Sequence, residues 1–79
     1  MNHITEKYND ILKQVLGDIT EDIQRVEYKK TETWNSLNQF CIINAIEDTF
    51  GFIFEPKDII RFRTYYDGLE IILEKLENN

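Results

Sequence analysis

The sequence predicts an all-α fold, a small four-helix bundle with three main helices, a short helix third in order, and a long first loop. Apolar residues recur at helical spacing in separate segments, and glycines and the single proline stand at the ends of those segments. The one strand-like apolar run, residues 52–54, has no second segment with which to pair. The chain of 79 residues has the length of one domain, so residues 1–79 are assigned to a single unit.

The first helix is predicted to end at Leu16. Its apolar residues fall on one helical face, and charged residues occupy the other sides. These apolar residues are Ile4, Tyr8, Ile11, Leu12, Val15 and Leu16. Gly17 follows directly, and glycine adopts the left-handed conformation of a helix C-terminus more easily than any other residue.

A long first loop is predicted over residues 18–35, where the charges are mixed and apolar residues are sparse. We expect it to be pinned to the core by Ile19, Ile23, Val26 and Trp34. Residues 19–26 have the pattern for one turn of helix. A connection of this length is uncommon in a compact domain and is usually functional or mobile.

The second helix is predicted over residues 36–50, a stretch without glycine, proline or basic residues. At about 100° per residue, one stripe is expected to face the core. It contains Gln39, Ile43, Ile46 and Phe50, flanked by Phe40 and Ile42. The opposite stripe is expected to face solvent and contains Leu37, Cys41, Asn44 and Asp48, with Glu47 at its edge. Gly51 ends the helix.

Two further helices follow residues 52–54, which we expect to form a buried apolar loop. Pro56 suits the first position of the short third helix because its missing N–H needs no partner there. The apolar side of that helix is expected to contain Ile59, Ile60 and Phe62. Thr64 followed by Asp67 fits the capping pattern of a last helix. That helix carries apolar residues at Leu69, Ile72, Leu73 and Leu76. Residues 77–79 have nothing to bury and are expected to fray.

The composition excludes several kinds of partner. Acidic residues number 15 against 9 basic ones, a net charge of -6, so nucleic acid is not expected to bind and partners should carry basic patches. No apolar run approaches the roughly 18 residues of a membrane span, and no signal-peptide pattern opens the sequence. We therefore expect a cytoplasmic monomer without a membrane span.

No catalytic motif is recognisable, and we expect no enzyme activity. The sequence has no glycine-rich phosphate loop, no HExxH and no CxxC. His3 is the only histidine and Cys41 the only cysteine, so an internal disulfide is impossible and a Cys/His zinc site would lack ligands.

The distinctive motif is Trp34-Asn35-Ser36-Leu37, which puts a hydroxyl residue at the start of a helix after a long loop. Asn35 or Ser36 could be the N-cap of the second helix, since both residue types accept hydrogen bonds from the first turn. Ser36 could also carry a phosphate ester, because free N–H groups and the helix dipole favour negative charge there. Both interpretations can hold together.

This motif and three later ones, spread over nearly the whole chain, resemble the acyl carrier protein family. The motifs are Trp34-Asn35-Ser36-Leu37, Ala45-Ile46-Glu47-Asp48-Thr49-Phe50-Gly51, Pro56 and Thr64-Tyr65-Tyr66-Asp67. The resemblance implies a four-helix bundle in which a serine at the start of the second helix carries 4'-phosphopantetheine. A phosphopantetheinyl transferase adds that group from coenzyme A. Ser36 is the matching serine, with Asn35 and Leu37 beside it.

The resemblance also implies partners that hold or transfer acyl groups: acyl or aminoacyl ligases, synthases and transferases. The residues expected to meet them are Leu37, Asn38, Cys41, Asn44, Glu47 and Asp48. The family's aspartate before the serine is Asn35 here, and two positions that are often acidic in fatty acid carriers are Asn38 and Cys41. This thinner acidic face argues against a housekeeping fatty acid carrier. Fatty acid synthesis, a polyketide or other specialised pathway, and aminoacyl transfer stay open.

Two functions of different classes follow. In the first, an arm on Ser36 holds an acyl or aminoacyl group as a thioester and delivers it to successive enzymes, because tethering raises the local concentration. A lipid cargo is then expected between the second and third helices, beside Phe40, Ile43, Phe54, Ile59 and Phe62. In the alternative, the chain is a carrier-like protein-interaction module that is not phosphopantetheinylated.

Overall fold

Residues 3–77 are the part of the chain that the computed structural model describes, and they form four α-helices and one 3-10 turn. The helices are α1 (His3–Leu16), α2 (Ser36–Phe50), α3 (Pro56–Arg61) and α4 (Tyr65–Glu77), and the turn η1 is Ile23–Arg25. No strand occurs in this range, so the predicted all-α bundle is confirmed. Of the tail expected to fray, Glu77 is instead helical as the last residue of α4, and Asn78 and Asn79 lie outside the described residues.

The ends of α1 and α2 agree with their local signals. Gly17 and Gly51 take left-handed φ angles of 70° and 77°, and their N–H groups donate to the carbonyls of Lys13 and Glu47 at 3.0 and 2.9 Å. A residue with a Cβ would be strained at either φ. The two glycines therefore end these helices as predicted.

The starts of α3 and α4 follow their capping patterns. Pro56 is the first residue of α3. At α4 the Asp67 N–H donates to Thr64 Oγ1 at 3.2 Å, and the Thr64 N–H donates to Asp67 Oδ2 at 3.0 Å. These reciprocal bonds form the predicted capping box.

The core is one layer of apolar side chains from α1, α2 and α4, completed by the first loop and by Phe62. Helix α1 packs along α2, while α4 contacts α2 and η1. The largest fully buried side chains are Trp34, Tyr8, Phe62, Leu12, Leu16, Ile42, Ile46, Ile71, Ile72 and Val26. The loop is thus anchored as predicted, with Val26 and Trp34 fully buried and Ile19 and Ile23 half-buried.

A glycine allows α4 to approach this core closely. A Cβ at Gly68 would lie 2.5 and 2.8 Å from two Phe62 ring carbons and closer still to the Tyr8 hydroxyl. That hydroxyl donates to the Tyr65 carbonyl at 2.6 Å. Burial, together with the neighbouring Tyr65 and Asp67, raises the pKa of Tyr8, so its hydroxyl stays a neutral donor.

Three apolar residues predicted for the core side lie on the surface instead. Phe40, Ile59 and Ile60 are 62%, 36% and 68% exposed. Helix α3 has only 6 residues, and its one buried residue is Asp58. The expectation of a buried link at residues 52–54 is also only partly right, because Phe54 is buried whereas Ile53 is 78% exposed. The buried rings in this region are those of Phe54 and Phe62, which flank α3 in sequence and stack with centroids 6.0 Å apart.

Candidate functional site

Ser36 is the first residue of α2, and its hydroxyl takes no part in capping the helix. Asn35 is the N-cap, because its Oδ1 accepts the Asn38 N–H at 2.9 Å. The side chain of Ser36 is exposed, and it is the only serine in the chain. The structure thus makes Asn35 the cap and leaves Ser36, an exposed residue, outside the capping hydrogen bonds.

The first loop brings Tyr28 against this serine. Tyr28 Oη lies 3.0 Å from Ser36 Oγ, and either hydroxyl can be the donor. The Tyr28 N–H donates to the Arg63 carbonyl at 2.8 Å beside an isolated antiparallel bridge between Glu27 and Thr64. The loop is therefore tied to the junction between α3 and α4.

Two cations lie beside the Tyr28 ring. Lys29 Nζ is 5.7 Å and the Arg63 guanidinium carbon 5.0 Å from the ring centroid. Arg63 Nε donates to the Ile60 carbonyl at 2.9 Å. Within residues 3–77, neither cation has a carboxylate at ion-pair distance. We call Tyr28, Lys29, Ser36 and Arg63 the Ser36 cluster.

A groove of about 270 Å³ opens between α2 and α3 at this cluster. It is lined by Tyr28, Ser36, Gln39, Phe40, Ile43, Ile59, Ile60 and Arg63. Of the residues predicted for a cargo seam, Phe40, Ile43 and Ile59 line this α2–α3 groove. Phe54 and Phe62 do not line it, and both rings are buried in the core.

Buried polar contacts fix one end of the groove. Trp34 Nε1 donates to Gln39 Oε1 at 2.6 Å, and Gln39 Nε2 donates to the Phe62 carbonyl at 2.9 Å. Gln39 is therefore on the core side of α2, as predicted, with both ends of its amide hydrogen-bonded. This pairing links the start of α2 to the end of α3.

The outer face of α2 exposes most of the predicted partner residues. Leu37 is 72% exposed, and Cys41, Asn44 and Asp48 are also exposed. We call these four residues the outer stripe.

The remaining two predicted partner residues have structural contacts. Asn38 Nδ2 donates to the Thr33 carbonyl at 2.6 Å, and Glu47 Oε2 accepts the Phe54 N–H at 2.8 Å. Both residues are half-buried. Their side chains hold the first loop and the link after α2. They therefore have less accessible surface for a partner than the outer stripe does.

A cavity larger than this groove, about 610 Å³, lies between the link after α2, α3 and α4. Its charged walls are paired internally: Arg61 with Glu74 at 2.8 Å, and Lys75 with Asp58 at 3.0 Å. We interpret this cavity as a structural ion-pair region, because its charges already have partners.

Sequence reasoning did not identify Tyr28 or Arg63 as residues of the site. Both lie outside the helices, where no periodic pattern marks a contact. Within residues 3–77, no group of three or more His, Cys, Asp or Glu side chains could hold a metal ion. Nor does any helix of that range combine the length and apolar character needed to cross a membrane.

Comparisons with protein-family models, with curated proteins and with solved structures find no match. The site must therefore be interpreted from its own geometry.

Proposed function

We propose that this chain is an acyl carrier protein, modified at Ser36 with 4'-phosphopantetheine. The observation that carries the proposal is the exposed Ser36 hydroxyl, which the Asn35 cap leaves free and which opens onto an apolar groove. The four-helix architecture and the resemblance of the sequence motifs support it.

The residues around Ser36 fit such a group. The hydroxyl of the exposed Ser36 is available for the ester bond. Lys29 and Arg63, which lie beside the ring of the Tyr28 that contacts Ser36, would supply positive charge for a phosphodiester there. The modification needs coenzyme A and a phosphopantetheinyl transferase. Ser36 Oγ forms a bond to phosphorus, the phosphoanhydride bond of coenzyme A breaks, and adenosine 3',5'-bisphosphate leaves with the bonding electrons. The Ser36 proton passes to a base of the transferase.

When bound, the arm supplies a terminal thiol that holds an acyl or aminoacyl group as a thioester. The protein's own residues then have three tasks. Ser36 fixes the attachment point on a rigid helix, Phe40 and Ile60 offer apolar surface to a lipid cargo, and Leu37 meets successive enzymes. Those enzymes would be acyl or aminoacyl ligases, synthases or transferases. None of these tasks requires a catalytic residue.

The test is intact mass after incubation with coenzyme A, Mg²⁺ and a broad-specificity phosphopantetheinyl transferase. We expect the gain of one phosphopantetheinyl group, which Ser36→Ala abolishes without loss of helical circular dichroism. Thr49→Ala, which removes another exposed hydroxyl of α2, should leave the gain unchanged. Modification that persists in Ser36→Ala, or that no transferase produces in the parent, contradicts the proposal.

The second candidate is a carrier-like docking module that is not phosphopantetheinylated. The exposure of Leu37 favours it, because a partner could bury this side chain without any arm. Asn35, which lacks the charge of the family's aspartate, also favours it. An unmodified parent that still binds a partner through Leu37 would support this candidate.

A further inference from the structure

We propose that Tyr28, Lys29 and Arg63 form a phosphate-binding site that holds the phosphodiester of a group esterified to Ser36. The inference rests on the proposed function and adds to it the position of the phosphate. It assigns positioning roles to residues of the first loop and of the α3–α4 junction.

The hydroxyls of Tyr28 and Ser36 are hydrogen-bonded at 3.0 Å. In the unmodified chain either oxygen can donate. An esterified Ser36 Oγ has no proton, so the Tyr28 hydroxyl can then only donate, either to that oxygen or to a phosphate oxygen one bond further on. Tyr28 thus becomes a directed donor at the phosphate.

Backbone hydrogen bonding and core packing hold the Ser36 cluster in place. The Tyr28 N–H and the Arg63 carbonyl are hydrogen-bonded at 2.8 Å, so the two residues are held side by side. The Tyr28 ring also packs edge-on against the fully buried Trp34, with centroids 6.4 Å apart. A preorganised donor loses little side-chain entropy when it binds an anion.

Lys29 and Arg63 bring positive charge to the Ser36 cluster. The chain has a net charge of -6, yet within residues 3–77 no carboxylate pairs with Lys29 or Arg63. The backbone N–H of Arg63 donates to Asp67 Oδ2 at 3.1 Å, but within residues 3–77 the only guanidinium hydrogen bond is from Nε–H to the Ile60 carbonyl at 2.9 Å. The other edge of its guanidinium carries the paired N–H groups that match phosphate oxygens.

The position of the phosphate-binding site also determines the direction in which the arm leaves Ser36. Tyr28, Ser36 and Arg63 all line the α2–α3 groove. A phosphate held at their side of Ser36 would start the arm toward this apolar groove and away from Leu37 on the outer stripe. The cluster therefore favours a state in which the cargo is covered between transfers.

The experiment is phosphorus-31 NMR on the modified protein. We expect the phosphodiester signal of the folded parent to differ from that of the same protein in urea. Tyr28→Phe and Arg63→Gln should each move the signal toward the urea value, as should added salt. Tyr66→Phe and Arg25→Gln, which change an exposed tyrosine and arginine outside the groove lining, are the matched controls.

A second measurement needs no variant. The Tyr28 amide and Arg63 side-chain N–H signals of the parent should shift on modification, and the Arg25 side-chain signal should not. Because this measurement uses the parent alone, it still tests the proposed phosphate-binding site if either variant fails to fold or to be modified.

The outcomes separate the two proposals. A parent that no transferase modifies overturns the proposed function and this inference with it. A modified parent whose phosphorus signal equals that of the urea-unfolded protein, or whose Tyr28 and Arg63 signals stay unchanged, overturns this inference alone.

Discussion

Neighbouring residues at the start of α2 have separate roles, and their order along the chain determines what each can do. Asn35 caps the helix, Ser36 presents an exposed hydroxyl that contacts Tyr28 rather than the helix end, and Leu37 projects its side chain into solvent. Exchanging the roles of Asn35 and Ser36 would use the hydroxyl as the cap and hide it from modification. Within one helical turn, Asn35 therefore stabilises the helix and Ser36 is left available for modification.

Recognition by a transferase is expected to depend more on Leu37 than on Asp48. Both are exposed, but Leu37 offers apolar area next to Ser36, while an exposed charge contributes about 0 to 1 kcal/mol and is screened by salt. Leu37→Ala should therefore lower kcat/KM for modification more than Asp48→Asn does. The free energy of unfolding should stay unchanged. A greater loss in Asp48→Asn, or a collapse of the rate between low and physiological salt, would mean that charge dominates recognition.

At the scale of elements, the short helix α3 is held by an ion pair rather than by apolar burial. The Asp58 side chain is only 4% exposed, and its Oδ2 lies 3.0 Å from Lys75 Nζ on α4. The Glu55 N–H donates to the same oxygen at 3.1 Å. Burial opposes the charge on Asp58, but hydrogen bonds from Lys75 and Glu55 and the nearby positive charges outweigh it, so the pKa of Asp58 is lowered.

This lowered pKa predicts a pH dependence of stability. A carboxyl group whose pKa is lower in the folded state stabilises the fold above its unfolded pKa of about 3.9, and loses that contribution as the pH falls through the folded value. Asp58→Asn should cost about 1–3 kcal/mol in the free energy of unfolding at pH 7, and the difference from the parent should shrink below about pH 4. Urea unfolding monitored by Trp34 fluorescence, repeated at each pH, measures both the cost at pH 7 and its decrease at low pH.

The control for this prediction is Lys57→Gln. Lys57 pairs with Glu55 at 3.6 Å, but its side chain is 80% exposed, so its removal should hardly change stability at any pH. If Asp58→Asn keeps the same deficit at pH 2 as at pH 7, the ion pair is not the cause.

At the scale of the whole molecule, the α2–α3 groove makes exposed apolar side chains available next to Ser36. Phe40 and Ile60 contribute little to the core, so their exposure is consistent with a role in contacting cargo. An octanoyl chain on the arm is expected to shift the amide NMR signals of groove residues as well as those near Ser36. Shifts confined to the neighbourhood of Ser36 would indicate a polar cargo.

Phe40→Ser should reduce those groove shifts while changing stability by no more than about 0.5 kcal/mol, the usual range for a surface substitution. Leu73→Ser, on the exposed side of α4, is the control that should leave the shifts intact.

Phe62→Ala, in contrast, should lower the free energy of unfolding by about 3–5 kcal/mol because the Phe62 ring is 0% exposed.

The sequence by itself determined the helices, their order and their ends. Gly17 and Gly51 end α1 and α2, and Thr64 with Asp67 begins α4, because these signals act through hydrogen bonds between residues a few positions apart. The same local reasoning located Ser36 at the start of α2 and Leu37 on its exposed side. The acyl carrier assignment, the cytoplasmic location and the monomeric state stay predictions.

Only the tertiary structure decided which apolar residues of the α2–α3 region are buried and what surrounds Ser36. Phe40 and Phe62 are both apolar, yet Phe62 is in the core and Phe40 lines an open groove. Tyr28 and Arg63 meet at Ser36 because a bridge joins the first loop to the α3–α4 junction. Such contacts depend on how the whole chain packs. The thin core can bury only some of the apolar residues, which come from distant parts of the sequence, and hydrophobic periodicity does not indicate which of them it buries.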